Sequence, residues 1–317
     1  MTQTAQAFVE RTVTTPPAVP RSRWDRQSRA ENRAAYLFLS PWIIGMVAIV
    51  AVPMIMSLYL SFTDYNLLQA PEWVGLDNYT RLLEDPRYLQ ALGVTATYVA
   101  VSVPLQLAFA LALAMILNRG LRGLTFYRGA YYLPSLIGAS VAIAILWRNL
   151  FGTDGLVNDG LALFGIETRS WISDPDTALG TLILLNIWTF GAPMIIFLAG
   201  LRQIPAVYYE AAAVDGAGPI RRFVNVTFPL LTPIIFFNVI LQVINAFQAF
   251  TQAFVISGGT GGPVDSTLIY SVYLYSEGFV NFRMGYASAM AWILVVIIAA
   301  LTGINFLLSR FWVHYED

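Results

Sequence analysis

Amide side chains recur through one apolar segment at a helical interval: Asn238, Gln242, Asn245, Gln248 and Gln252, with steps of four, three, three and four. At about 100° per residue they stay within an arc of about 120°, so on a helix they make one face. An amide offers donors and an acceptor and performs no covalent chemistry. Such a face can hold hydroxyl groups, as a sugar carries, while Phe247, Phe250 and Phe254 offer flat apolar rings to its ring faces. The same face can instead tie neighbouring helices together, and both uses stay open. Asn186 and Trp188 stand in NIWTFGAPM, where Gly191 and Pro193 loosen helical structure. Gln106 and Asn305 are isolated and suit packing better.

Bond-making chemistry is poorly provided for. The chain has no cysteine, which excludes disulfides, thiolate metal sites and a cysteine nucleophile. Its one histidine, His314, cannot build a metal cluster or a proton relay. All 18 basic residues are arginine, so neither a GxxxxGK[ST] nucleotide loop nor a Schiff base is possible. No catalytic, cofactor or metal site is expected.

The elements that must position the amides follow from composition. Only 12% of the 317 residues are charged, against roughly 25% in a soluble domain. Stretches 36–62, 91–117, 129–147, 179–201, 228–256 and 285–309 contain no charged residue at all, although about 18 would fall there at the chain's average density. Each approaches or exceeds the roughly 20 residues that carry a helix across ~30 Å of hydrocarbon. Alternation at period two is absent, which argues against a barrel. The expectation is an all-α membrane protein with six transmembrane helices over 36–312, preceded by an irregular tail at 1–35 and followed by a short end at 313–317.

Arginine placement orients the helices. The tail, the connections 118–128 and 202–227 and the C-terminal end hold thirteen arginines against seven acids; the other side holds five against twelve. Both termini are therefore expected in the cytoplasm. The tail has no apolar core that would read as a cleaved signal, and its arginines suit topology better than nucleic acid. Segments 63–90, 148–178 and 257–284 are expected outside, as plain links or as a docking surface of short helices. GGTGGP at 258–263 reads as a turn beside the mouth, since no Lys-Ser/Thr follows to make a phosphate cradle.

The connection 202–227 carries the most specific pattern. Residues 210–233 read EAAAVDGAGPIRRFVNVTFPLLTP. Local rules predict a short helix through Tyr208–Val214, a break at Asp215-Gly216 with a positive φ at the glycine, and a second helix opening at Pro219. Small residues at Ala211, Ala212, Ala213 and Ala217 would let another protein approach the backbone, with Glu210 as a charged handle. An ordinary interfacial linker would share these features.

With Phe223, Val226, Pro229 and Pro233 at their spacings, this pattern resembles the EAA loop of permease subunits in binding-protein-dependent ABC importers. LSPWIIGMVAIVAVP, VGLDNYTRLL, YLPSLIGASVAIAILWRNLF, GGTGGPVDST, MGYASAMAW and VHYE extend the resemblance from about residue 34 to the end. Together they are similar to the carbohydrate-importer branch, the maltose- and glycerol-phosphate-type first permease. The resemblance implies a type I importer permease (MetI-like) fold in the bacterial plasma (inner) membrane. It implies that Glu210, Ala211, Ala212, Asp215, Gly216 and Ala217 couple to a cytoplasmic ABC ATPase, present in two copies and holding ATP and Mg, while this chain binds no cofactor. The remaining implied partners are a second permease subunit completing a heterodimer, an extracytoplasmic solute-binding protein, a sugar and membrane lipid. It places Asn186 near the sugar, so the expected path is Asn186, Trp188, Asn238, Gln242, Asn245, Gln248 and Gln252. Because the spans hold no cation, a neutral sugar is expected over a phosphate ester. The competing reading is an ion-coupled secondary transporter of a small polar solute. Proton coupling would want a titratable group at membrane depth, which the spans lack, although sodium coupling through backbone carbonyls stays open.

Overall fold

The computed structural model describes the backbone of residues 21–119, 123–166 and 170–314, and side chains from Ala34 onward within them. The tail up to residue 20, Arg122, Arg169 and the last three residues lie outside the described residues. The chain divides into two compact units, Met1–Met56 and Ser57–Asp317. In the first, helix begins at Arg21, inside the stretch expected to be irregular. RSRWDRQSRAENRAA lacks proline and glycine after Pro20 and is rich in Arg and Ala, both good helix formers. The first apolar span runs over Ala34–Ser61 and accommodates Pro41 and Pro53.

The second unit supplies the other five spans. The second (Pro86–Asn118), the fifth (Pro219–Ile256) and the sixth (Met284–Trp312) are long enough to cross a membrane. The third and fourth are broken. Leu124–Ile137 meets Val141–Leu150 at 94°, and Pro175–Trp188 meets Gly191–Leu201 at 43°. The third stretch was expected to be one transmembrane helix, and its sharp break has a cause visible in its own residues. Pro134 and Gly138 weaken the end of the first arm, and Ser140 restarts the helix by accepting the Ile143 N–H through its side chain. The arms are roughly 21 and 15 Å long at 1.5 Å per residue, so neither alone crosses ~30 Å of hydrocarbon.

The core lies where the second span packs against the fourth and fifth. Ala110, Ala114, Met194 and Leu231 are fully buried there, and Phe197 nearly so. The alanines let the helices approach closely enough for dispersion contacts to hold them in lipid, where no water-driven burial is on offer.

The end of this unit opposite the 202–227 loop is fastened by polar groups. Asp85 caps the second span, taking the N–H groups of Arg87 and Tyr88, and Pro86 occupies the first helical position. Its Oδ2 also accepts the hydroxyls of Tyr273 at 2.5 Å and Tyr286 at 2.7 Å. Arg87 forks onto Asp265 through Nε at 3.0 Å and Nη2 at 2.9 Å, tying the second span to the loop after the fifth. Burial alone would raise the Asp85 pKa; the tyrosine hydroxyls and backbone N–H groups outweigh it and hold the carboxyl below its ordinary value. A lowered folded pKa stabilises fully above the unfolded value of about 3.9 and loses that contribution as pH falls through the folded one. Asp85→Asn is expected to remove about 1–3 kcal/mol and lower the thermal midpoint of the detergent-purified chain above pH 5, with the gap to wild type closing on acidification. An unchanged midpoint at neutral pH would remove Asp85 from the fastening.

Candidate functional site

Three spans break at the same cavity. The fifth is helical through Phe247, then opens over Gln248, Ala249 and Phe250 before Thr251–Ile256 resumes. No glycine or proline marks this break. Phe250 is off the helical region at φ −138° and ψ −62°, and the freed Ala249 carbonyl accepts the Ser271 hydroxyl. The amide stripe is therefore not one continuous helical face. The breaks of the third and fourth spans press against each other: Ser135 Oγ donates to the Thr189 carbonyl at 2.8 Å and accepts the Ala192 N–H at 2.9 Å. Gly138 and Gly191 permit this approach, since a Cβ on Gly138 would overlap Thr189 and one on Gly191 would overlap the Tyr131 carbonyl.

The cavity enclosed there has a volume of about 370 Å³. Its polar lining is Gln106, Ser135, Asn186, Thr189, Gln242, Asn245, Gln248, Thr251 and Gln252, joined by Tyr98 and Phe250. None of its lining residues carries a charge. Five of the seven path residues expected from sequence meet here: Asn186, Gln242, Asn245, Gln248 and Gln252. Asn238 does not line it: fully buried, it donates to the Ile234 carbonyl of its own helix at 3.2 Å. Trp188 does not line it either, its ring lying 6.2 Å from that of Trp147. Phe250 contributes an aromatic wall backed by Phe254 at 5.1 Å and Tyr275 at 5.3 Å, whereas Phe247 is buried away from the cavity.

Gln106, expected to be a packing residue, both packs and lines the cavity. Its Nε2 donates to Thr189 Oγ1 at 3.0 Å and to the Thr189 carbonyl at 3.3 Å, and its Oε1 accepts Asn186 Nδ2 at 3.4 Å. Ser135 and Thr189 were not singled out from sequence, because single hydroxyls beside a helix break leave no periodic trace. The pairing of Pro134 with Gly138, and of Thr189 with Gly191, was the available signal.

At the other end, the 202–227 connection folds as its residues dictate. Ala206–Val214 is a helix, Asp215 follows its last turn, and Gly216 sits at φ 71°. The Gly216 N–H reaches the Ala213 carbonyl at 3.1 Å and the Ala217 N–H reaches Ala212 at 2.9 Å, which closes the helix end as a Schellman turn. Pro219 opens the next helical turn, and Arg222 Nε holds the Ala217 carbonyl at 2.8 Å. Glu210, Ala211, Asp215 and Gly216 are exposed, Ala212 is partly so, and Ala217 is buried beneath the turn. Val214 and Ile220 stand 89% and 81% exposed on either side, so the turn presents apolar tips away from its own chain. A cleft of about 270 Å³ lies between Ala211, Asp215, Arg221 and Val226.

Apolar spans, three of them broken around an uncharged polar cavity, and a small-residue helical turn at one face are the features of a solute permease. The chain belongs to the binding-protein-dependent transport system inner membrane component family, whose sequence profile matches residues 82–314. It is 53% identical over 294 residues to a probable ABC transporter permease protein, YesP, of Bacillus subtilis strain 168, covering 92% of this chain and 95% of the relative. It is 34% identical over 284 residues to the lactose transport system permease protein LacF of Rhizobium radiobacter, covering 87% and 93%. In structure it matches a chain of the bacterial alginate ABC transporter in complex with an alginate pentasaccharide-bound periplasmic protein, with a TM-score of 0.78 at 22% identity over 90% of this chain and 96% of that one. It is thus a permease subunit of an ABC importer that works with a binding protein, and an inner-membrane component with the type I permease fold.

Proposed function

We propose that this chain forms half of the path for an uncharged sugar, handed over by an extracytoplasmic binding protein and driven by ATP bound on another subunit. The observation that carries this is the convergence of Gln106, Asn186, Gln242, Asn245, Gln248 and Gln252 on one cavity whose lining holds no charge. Amides match hydroxyls as donor and acceptor together, and Phe250 supplies a face on which a pyranose ring can lie. An anionic solute at membrane depth would want an arginine beside it, and no arginine lines the cavity. The lactose named for one relative suits this lining.

Energy enters at the loop. The exposed turn around Glu210, Asp215 and Gly216 suits insertion into an ATPase subunit, two copies of which would serve this chain and a second permease. ATP with Mg belongs on those subunits, and the arginine distribution supports cytoplasmic termini, which put the turn on the ATPase side. Purified alone, the chain is expected to hydrolyse no ATP above background; co-purified with its ATPase it should, and turnover by the isolated chain would overturn the division of labour. Competition between candidate solutes in an uptake assay tests the lining: neutral sugars should compete, and efficient uptake of a phosphate ester would overturn the choice of an uncharged solute.

A further inference from the structure

The 94° bend of the third span raises a problem that lipid makes acute. Where a helix stops inside a membrane, its last carbonyls have no water to turn to and need donors from the protein. Gly138 lies at the corner, after Ile137 ends the first arm and before Ser140 restarts the second. Its N–H still reaches back to the Pro134 carbonyl at 2.8 Å. Its own carbonyl accepts Gln252 Nε2 at 3.2 Å, a bond from a residue 114 positions away that stands just beyond the break of the fifth span. The opposite side of the same glycine is packed on Thr189, at the break of the fourth. The three breaks are thus fastened to one another, and Gln252 is the side chain that joins the fifth to the third.

We propose that Gln252 is a positioning residue for the bend: its amide sets the angle between the two arms of the third span, and its place in the cavity wall follows from that task. Its neighbour Gln248 makes the contrast. Gln248 lines the same cavity, but among the described residues its side chain makes no hydrogen bond to protein. Gln248 is therefore free to meet solute, while one N–H of Gln252 is already committed. The sharing of one side chain between cavity and corner also links the cavity's shape to the angle of a span whose first arm directly follows a cytoplasmic-side connection.

The chain has no cysteine of its own, so paired reporters can be introduced cleanly. Leu136 and Leu146 are 63% and 55% exposed on opposite arms of the bend. With Leu136→Cys and Leu146→Cys carrying spin labels in the assembled importer, without solute or nucleotide, one distance distribution should describe the bent form. Gln252→Met, of similar length but without a donor, is expected to shift the ratio of bent to extended forms about two- to tenfold, the range that one neutral hydrogen bond commands. Gln248→Met should leave the distribution where it was. If Gln252→Met does not assemble, Gln252→Asn, one methylene too short to reach the carbonyl, makes the same test. A Gln252 variant indistinguishable from the parent, or a Gln248 variant that shifts equally, would overturn the assignment. The distance is read whatever solute is carried, so its failure is separable from failure of the sugar reading.

Discussion

Gly216→Pro is expected to abolish uptake while leaving the chain in the membrane at normal abundance. Gly216 sits at φ 71°, which proline, locked near −65°, cannot adopt, and its N–H is bonded to the Ala213 carbonyl. The substitution loses both the turn and the closing bond of the helix, yet a Cβ there would meet nothing within 4 Å, so the spans are not disturbed. Glu210→Lys tests the same contact without touching the backbone. Glu210 is exposed and makes no hydrogen bond or ion pair among the described residues, so reversing its charge costs the fold little. In a docked interface, a misplaced charge costs several kcal/mol, and uptake should fall at least about 100-fold. Cellular uptake measured beside a membrane immunoblot of the chain checks both variants. Normal uptake with either one would remove the loop from the mechanism.

The second large effect is expected inside the cavity. Replacing Asn245 and Gln248 together by leucine removes two amides that line it and that make no side-chain bond to protein among the described residues. At about 0.5–1.5 kcal/mol per hydrogen bond, transport should fall roughly 5- to 150-fold. Co-purification with the partner subunits should be unchanged, because no helix–helix bond is lost. Uptake and co-purification measured on one preparation separate the two uses of the stripe. Lost assembly would return these amides to tying helices together.

The contrast between Asn238 and Asn245 shows how far sequence could reach. Both fit one helical stripe by spacing, and period alone cannot say which side of a stripe meets a neighbouring helix and which meets open space. Asn238 turns out fully buried against its own helix, seven residues before a residue that lines the cavity. The stripe is also interrupted at Gln248–Phe250, where the Ala249 carbonyl takes the Ser271 hydroxyl, a contact across 22 residues with no local signature. Where the cause is local, sequence was sufficient. The helix, positive φ and restart at Ala206–Val214, Gly216 and Pro219 follow from residues within a few positions of one another. The same holds for the existence of six apolar spans, which depends on the absence of charge along each one. The third span lies between these cases. Pro134 marked a weak point, but the corner is also tied to Thr189 and Gln252 of other spans, through the Ser135 hydroxyl and the Gly138 carbonyl of its own. The fastening around Asp85 was equally hidden, since Tyr273 and Tyr286 lie about two hundred residues away.

The most direct test of the whole account is solute entry into proteoliposomes holding this chain with the proposed second permease and ATPase subunits, with ATP sealed on the ATPase side. Entry of an uncharged sugar should require both ATP and the binding protein, stay unchanged when proton and sodium gradients are collapsed, and drop with Asn245→Leu/Gln248→Leu. Entry that persists without ATP and follows an ion gradient instead would contradict it.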